Sequence, residues 1–155
     1  MQAKEGIQDI LNNLLTIELT AVNQYFLQAE MCRNWGFEGL YEHLRASSME
    51  EMKDAQELVR HILFLEGLPN MQRLNRIRIG QNVPEHFQLD LETELEAVDF
   101  LATSIQHCTS VGDFHTRHML ELMVQSEEDH IDWLETQQET IRQVGLENYL
   151  SQHIT

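Results

Sequence analysis

The residues of this sequence with the potential for chemistry are acids that stand where a helical pattern calls for apolar side chains. Each of the four predicted long helices carries one of them in its apolar stripe, and they are Glu18, Glu51, Glu94 and Glu127. Carboxylates are rarely buried unless a partner or a metal ion offsets the cost of taking their charge out of water. Four such acids in register predict a cation in the core of a helical protein.

The spacing of these acids repeats along the chain. Glu18 and Glu51 are separated by 33 residues, and so are the two acids of the second half. One Glu from each of two helices, with a Glu-x-x-His from each of the others, is the ligand pattern of di-iron carboxylate proteins. The residues predicted to bind metal, and with the exception of Asp54 to be catalytic, are Glu18, Glu51, Asp54, Glu94, Glu127 and His130. Such an oxygen-rich donor set suits iron or manganese better than structural zinc.

The alternative to a metal site is that these glutamates lie on the surface of helices with a different register. A single Glu-x-x-His is common and would by itself favour that alternative. Four helices that agree on one register favour the metal site instead.

The elements that must position these side chains are predicted from three-and-four spacing of apolar residues. Helix one runs from Ile7 to near Gly36, and helix two runs from Leu40 to a stop at Gly67. Helix three follows Pro84 and buries Val98 and Ile105. Helix four is N-capped by Asp113 and ends at Gly145, and a short fifth helix covers Leu146 to His153. The connections are short, long and short. They predict an all-α, ferritin-like four-helix bundle with a long crossover between helices two and three.

Composition narrows the class of protein. A chain of 155 residues is expected to form one domain, residues 1–155, and its net charge of −16 argues against nucleic acid as a partner. No apolar stretch approaches the ~20 residues of a membrane-spanning helix, and no secretory signal is visible, so a soluble, cytoplasmic protein is expected. Cys32 and Cys108 are too few for a disulfide framework and are expected to be inert, half-buried thiols.

Six short stretches resemble the bacterioferritin family, and the likeness extends over essentially the whole chain. They are Glu18-Leu19, Asn23-Gln24-Tyr25-Phe26, Asn34-Trp35-Gly36, Ile62-Leu63-Phe64-Leu65-Glu66-Gly67-Leu68-Pro69, His130-Ile131-Asp132-Trp133-Leu134-Glu135 and Gly145-Leu146-Glu147-Asn148-Tyr149-Leu150. The resemblance implies a hollow shell of twenty-four subunits that stores ferric mineral. It also implies oxidation of Fe(II) by oxygen or hydrogen peroxide at the di-iron site, with a ferredoxin-type reductant for iron release.

The resemblance further implies haem b, bound by a methionine on helix two from each side of a two-fold dimer interface. The matching residue is Met52, which is rotated by about 100° from its neighbour Glu51 and so lies on another face of the helix. The alternative is that this methionine only packs. Residues expected to wall the haem pocket are Leu19, Asn23 and Phe26, and the candidate redox-active neighbours of the metal site are Tyr25 and Trp133.

The chain departs from the family pattern near the metal site. Asp54 stands where a second histidine ligand is expected, and either it ligates metal or it turns away and leaves the site half built. Ala46 and Ser47 replace cavity-facing iron ligands, although Glu50 keeps an acid there, and Leu58 replaces a tyrosine. These changes resemble the haem-type subunit of a mixed shell that contains a second bacterioferritin subunit type.

Three other functions are compatible with a helical bundle of this kind. The first is a fully active homopolymeric ferroxidase. The second is a rubrerythrin-like peroxidase, which needs a cysteine-rich iron domain that this sequence lacks. The third is a purely structural helical bundle, which the four core-facing acids disfavour.

Overall fold

The computed structural model describes residues 1–155 and is built of helices alone. The helices are α1 (Ile7–Asn34), α2 (Glu38–Phe64), α3 (Val83–Val111), α4 (Phe114–Val144) and α5 (Leu146–Ser151). Most contacts between helices join α1 to α2 and α3 to α4, and residues 65–82 form the connection between these two hairpins. The predicted ferritin-like bundle with a long crossover and a short fifth helix is confirmed.

Two predicted signals for the start of a helix are confirmed. Asp113 caps α4, because its Oδ1 accepts a hydrogen bond from the backbone N–H of Thr116 at 3.0 Å and its Oδ2 accepts from the Thr116 hydroxyl at 2.7 Å. Pro84 lies in the first turn of α3, where its missing N–H costs no helical hydrogen bond.

The end of α2 differs from the prediction of a stop at Gly67. The helix ends at Phe64, and Glu66 is the residue that adopts the left-handed conformation, with φ of 61°. The Gly67 N–H then donates to the carbonyl of Ile62 at 2.9 Å, which satisfies one free carbonyl of the last turn. A Cβ atom at Gly67 would lie 2.1 Å from Gln8 Oε1, so a larger residue there would displace the Gln8 side chain.

The fifth helix is shorter than predicted. It ends at Ser151, and the N–H groups of Gln152 and His153 bond three residues back in a turn. The His153 carbonyl accepts from the Gly39 N–H at 2.8 Å, which ties this end of the chain to the start of α2.

The buried face of α3 is offset from the predicted one. Val98 and Ile105 are only half-buried, while Ala97, Ser104 and Cys108 are buried. The prediction followed the larger apolar residues, but the positions three, ten and fourteen residues after Glu94 share its face and carry small side chains.

Both cysteines lie deeper than expected. Cys32 and Cys108 are fully buried rather than half-buried. Burial raises the pKa of the Cys32 thiol to about 12 and that of Cys108 to about 11, so both stay protonated and unreactive.

Two apolar clusters fill the bundle, and the buried acids lie between them. The first core comprises Ile7, Leu11, Leu14, Leu15, Leu19, Ala55, Leu58, Ile62, Leu65, Leu101, Cys108, Leu120 and Met123. The second core comprises Ala21, Tyr25, Ala29, Cys32, Leu40, Leu44, Val83, Phe87, Leu134 and Tyr149. Along each long helix one core gives way to the other near its core-facing glutamate. None of the helices has both the length and the apolar character needed to cross a membrane.

Candidate metal centre

The four core-facing glutamates are almost completely removed from solvent. Glu18 and Glu94 are 1% exposed, Glu127 is 2% exposed and Glu51 is 6% exposed. Each of the four long helices supplies one of them, because the apolar residues on either side along the same face are packed into the two cores. The alternative of surface glutamates is therefore wrong.

The structure brings all six predicted ligands into two overlapping clusters. In each cluster every residue offers a ligand atom within 4.8 Å of the others. The first cluster contains Glu18, Glu51, Asp54 and Glu127, and the second contains Glu51, Glu94 and His130. Glu51 belongs to both clusters. The Asp54 carboxylate faces the other acids rather than turning away from them.

Hydrogen bonds hold the second cluster in place but leave much of the site unpaired. The Tyr25 hydroxyl donates to Glu94, and His130 Nδ1 lies 3.2 Å from the same carboxylate oxygen. Buried atoms without a partner in the chain include Glu18 Oε2, Glu51 Oε2, Glu94 Oε2 and His130 Nε2. Buried carboxylate oxygens without a donor are costly, and a cation among them removes that cost. The residues present therefore fit a metal ion.

Burial also shifts the protonation of these acids. It raises the pKa of Glu18 to about 8 and that of Asp54 to about 6, with nearby carboxylates adding to both shifts. Burial and the charge of Glu18 raise the pKa of Glu51 well above its usual range. Without a cation Glu18 and Glu51 hold protons at neutral pH, and a bound metal ion would displace them.

The histidine of the second cluster behaves differently. Burial alone would lower the pKa of His130, but the hydrogen bond and the charge of Glu94 outweigh it and raise that pKa. For Tyr25 burial acts in the other direction and raises the pKa of the hydroxyl well above its usual range. The hydroxyl therefore stays protonated and donates to Glu94.

Sequence reasoning missed Asp90, which is fully buried one turn before Glu94 on α3. Its Oδ1 accepts hydrogen bonds from Gln24 Nε2 at 2.8 Å and from Gln28 Nε2 at 2.7 Å. The same two amides contact the backbone of Arg78 in the crossover. Burial raises the pKa of Asp90 to about 7 despite these bonds. Its position four residues before Glu94, on the same helical face, was the available signal.

Sequence reasoning also missed His43, on α2. Its ring stacks on Trp133, with centroids 3.6 Å apart and an interplanar angle of 11°. The centroid of the His130 ring lies 6.3 Å away. No pattern in the sequence links His43 to Trp133 or His130, because it lies on α2 and they lie on α4.

The other departures from the family pattern offer no further ligands. Ser47 is buried and its hydroxyl donates to the carbonyl of His43 in its own helix, and Ala46 is exposed. Glu50 is exposed beside the site, and Leu58 is fully buried in the first core.

The predicted haem ligand lies on the outer face of α2. Met52 is 42% exposed and Met49 is 50% exposed, and both line a shallow apolar hollow that Met71 of the crossover also reaches. The three residues predicted to line the haem pocket do not line this hollow within one chain. Leu19 is buried in the first core, while Asn23 and Phe26 are exposed on α1.

Comparison with known proteins agrees with this geometry. The profile of the ferritin-like domain matches residues 8–144. The bacterioferritin of Mycolicibacterium paratuberculosis is 46% identical over 155 residues, which cover 100% of this chain and 98% of the relative. That of Streptomyces coelicolor is 44% identical over 97% of this chain and 90% of the relative, and that of Brucella melitensis is 38% identical over 96% and 92%. The chain therefore belongs to the bacterioferritin family of ferritin-like proteins.

Proposed function

We propose that this chain is an iron-storage subunit that oxidises Fe(II) at the two overlapping clusters and assembles into a closed shell. The observation that carries the proposal is the set of six convergent ligand side chains, of which Glu18, Glu51 and Glu94 each have a buried oxygen without a donor. The bacterioferritin relatives support it over the full length of the chain. Fe(II), with oxygen or hydrogen peroxide, is the substrate.

The residues of the two clusters would bind the metal ions at two different ends of the site. Glu51, which belongs to both clusters, would contact both metal ions. Glu18, Asp54 and Glu127 complete an all-oxygen end, while Glu94 and His130 form the other. When iron is bound, it supplies the electrons that reduce the oxidant. The carboxyl groups would release their protons when metal binds, because the positive charge of the metal ions then neutralises the carboxylates.

The proposal includes a role for Asp54 in tuning the site. Its inward carboxylate completes the ligand set, which supports a subunit that binds iron on its own. Five carboxylates against two Fe(II) ions leave a net charge of −1, and this excess favours Fe(III) and slows turnover. Slow turnover is consistent with a mixed shell, in which a second, faster subunit type supplies most of the oxidation. A homopolymer is the second candidate, because the ligand set of this chain is complete.

The assembly and the metal site are tested together by two measurements. Native mass spectrometry is expected to find a shell of twenty-four subunits. Anaerobic titration with Co(II), a spectroscopic substitute for Fe(II), is expected to find two ions bound per subunit. A stable monomer that binds no Co(II) would contradict the proposal.

The haem assignment rests on Met52, whose side chain is partly exposed on an apolar face. A second copy related by a two-fold axis would bring a second Met52 to the other side of the haem iron. The change Met52→Leu is expected to abolish the haem absorption bands and leave shell assembly intact, because side-chain volume and helix propensity barely change. Met49→Leu, on the same exposed face, is the matched control. Unchanged haem content in the Met52 variant would overturn the assignment.

A further inference from the structure

Two buried imidazole nitrogens beside the metal centre lack a partner in the chain. One is His130 Nε2, on the side of the ring opposite the nitrogen that faces Glu94, and the other is His43 Nε2. The stack on Trp133 fixes the position of the His43 ring. Buried polar atoms without a partner are costly, and two of them on neighbouring rings can satisfy each other.

The separation of the two rings defines how they can interact. Nitrogens in a direct hydrogen bond are about 2.9 Å apart, which places the ring centroids at most about 5.2 Å apart. The observed distance between the His43 and His130 centroids is 6.3 Å. A bent bridge through one water molecule places the centroids of two such rings about 6 to 7 Å apart. The observed distance therefore fits a bridge through one water.

Metal binding creates the need for this bridge. When Nδ1 of His130 gives its lone pair to a metal ion, the ring proton must be on Nε2, which becomes a donor that needs an acceptor. Ligating histidines usually give this second N–H to a carboxylate, a carbonyl or water, and that partner fixes the orientation of the ring. Neutral His43 is able to accept that hydrogen bond at Nε2, the ring nitrogen that has no partner in the chain.

We propose that His43 is a positioning residue, which receives the Nε2–H of His130 through one water molecule and so holds Nδ1 towards the metal. This inference rests on the proposed function, because it requires His130 to bind metal. It assigns a role in metal binding to a residue outside the six ligands.

Two variants of the full-length protein separate the hydrogen bond from the stack. His43→Phe keeps an aromatic ring against Trp133 but removes both nitrogens. His43→Gln loses the ring but places an amide oxygen about where Nε2 stands. Both are titrated anaerobically with Co(II), and the visible absorption of the bound ion is recorded. Circular dichroism and thermal unfolding confirm folding, and His43→Leu replaces His43→Phe if that variant does not fold.

In the unchanged protein we expect two Co(II) ions per subunit. In His43→Phe the ion held by Glu94 and His130 should bind about 10- to 100-fold more weakly, while the other keeps its affinity. His43→Gln should remain within about threefold of the unchanged protein, since it retains the acceptor. Equal affinity in His43→Phe would overturn the inference, as would equal losses in both variants, which would indicate a packing role. If the unchanged protein bound no Co(II), the proposed function itself would fail, and this inference with it.

Discussion

The two ends of the metal centre differ in their surroundings, although their ligands repeat at a separation of 76 residues along the chain. The end at Glu94 and His130 contacts or faces polar side chains, which are Tyr25 of α1, His43 of α2 and Asp90 of α3. The matching positions at the end near Asp54 are apolar and belong to, or pack on, the first core. The position pairs, each 76 residues apart, are Leu14 and Asp90, Tyr25 and Leu101, and His43 and Met119.

This asymmetry determines how each end balances its charge. At the polar end, Glu94 receives hydrogen bonds from Tyr25 and His130 before any metal is present. At the apolar end, Glu18 and Asp54 have only protons or cations to neutralise them, which is why burial raises the pKa of both. The repeat in the sequence thus gives both ends equivalent ligand positions. The surroundings differ, because hydrogen bonds orient the ligands at the polar end, whereas the acids at the apolar end depend on protons or cations to neutralise their charge.

The largest expected effect comes from Glu51, the one ligand that both ends share. Glu51→Gln keeps the size of the side chain but removes the charge from both clusters. Rapid oxidation of Fe(II), followed by stopped-flow absorption, should fall by about 100-fold or more because neither ion keeps its full ligand set. Glu42→Gln, an exposed acid nine residues earlier on the same helix, is the control and should retain the rate. Loss of only one of two bound Co(II) ions would show that Glu51 serves a single end.

The next effect in size is expected at Asp54, where the two ends differ in ligand type. Asp54→His makes the apolar end resemble its partner and removes the excess negative charge. Stopped-flow oxidation of Fe(II) by oxygen should become severalfold faster, since Fe(III) is then held less tightly. Asp54→Asn is the matched comparison, because it removes the charge without adding an imidazole. Equal or slower oxidation in Asp54→His would show that the aspartate is a competent ligand as it stands.

The ligand positions were predictable from the sequence because they follow from helical periodicity alone. A core-facing glutamate on each of four helices, with a second ligand three residues beyond two of them, requires only that the helices exist and keep their register. The caps were predictable for the same reason, since Asp113 and Pro84 act within one turn of their own positions. Local chemistry determined these features.

The surroundings of the ligands were not predictable because they depend on how helices pack. The stack of His43 on Trp133 joins α2 to α4, and the hydrogen bonds to Asp90 join α1 to α3. The direction of Asp54 was left open for a similar reason, since a residue one turn beyond a core position can face either the site or solvent. The left-handed Glu66 was missed because glycine is the usual residue in that conformation.

The smallest expected effect concerns stability at the polar end, where Asp90 replaces the leucine of the other half. Its folded pKa of about 7 lies above the usual 3.8, so the folded state binds the proton more tightly than the unfolded chain does. Stability from this group is therefore full below about pH 4 and is lost as the pH rises to about 7. Asp90→Asn keeps an oxygen that accepts from Gln24 and Gln28, and its new N–H₂ replaces an oxygen that has no partner.

The variant should consequently match the unchanged metal-free protein at about pH 4 and exceed it at pH 8 by a few kcal/mol at most. Thermal unfolding midpoints of the two proteins, measured across that range, check the expectation. Asn75→Asp, an exposed crossover residue that is hydrogen-bonded to α1 through its backbone N–H, is the control for a general effect of charge. A variant less stable than the unchanged protein at every pH would mean that Asp90 is ionised in the fold and that the polar end carries a charge of its own.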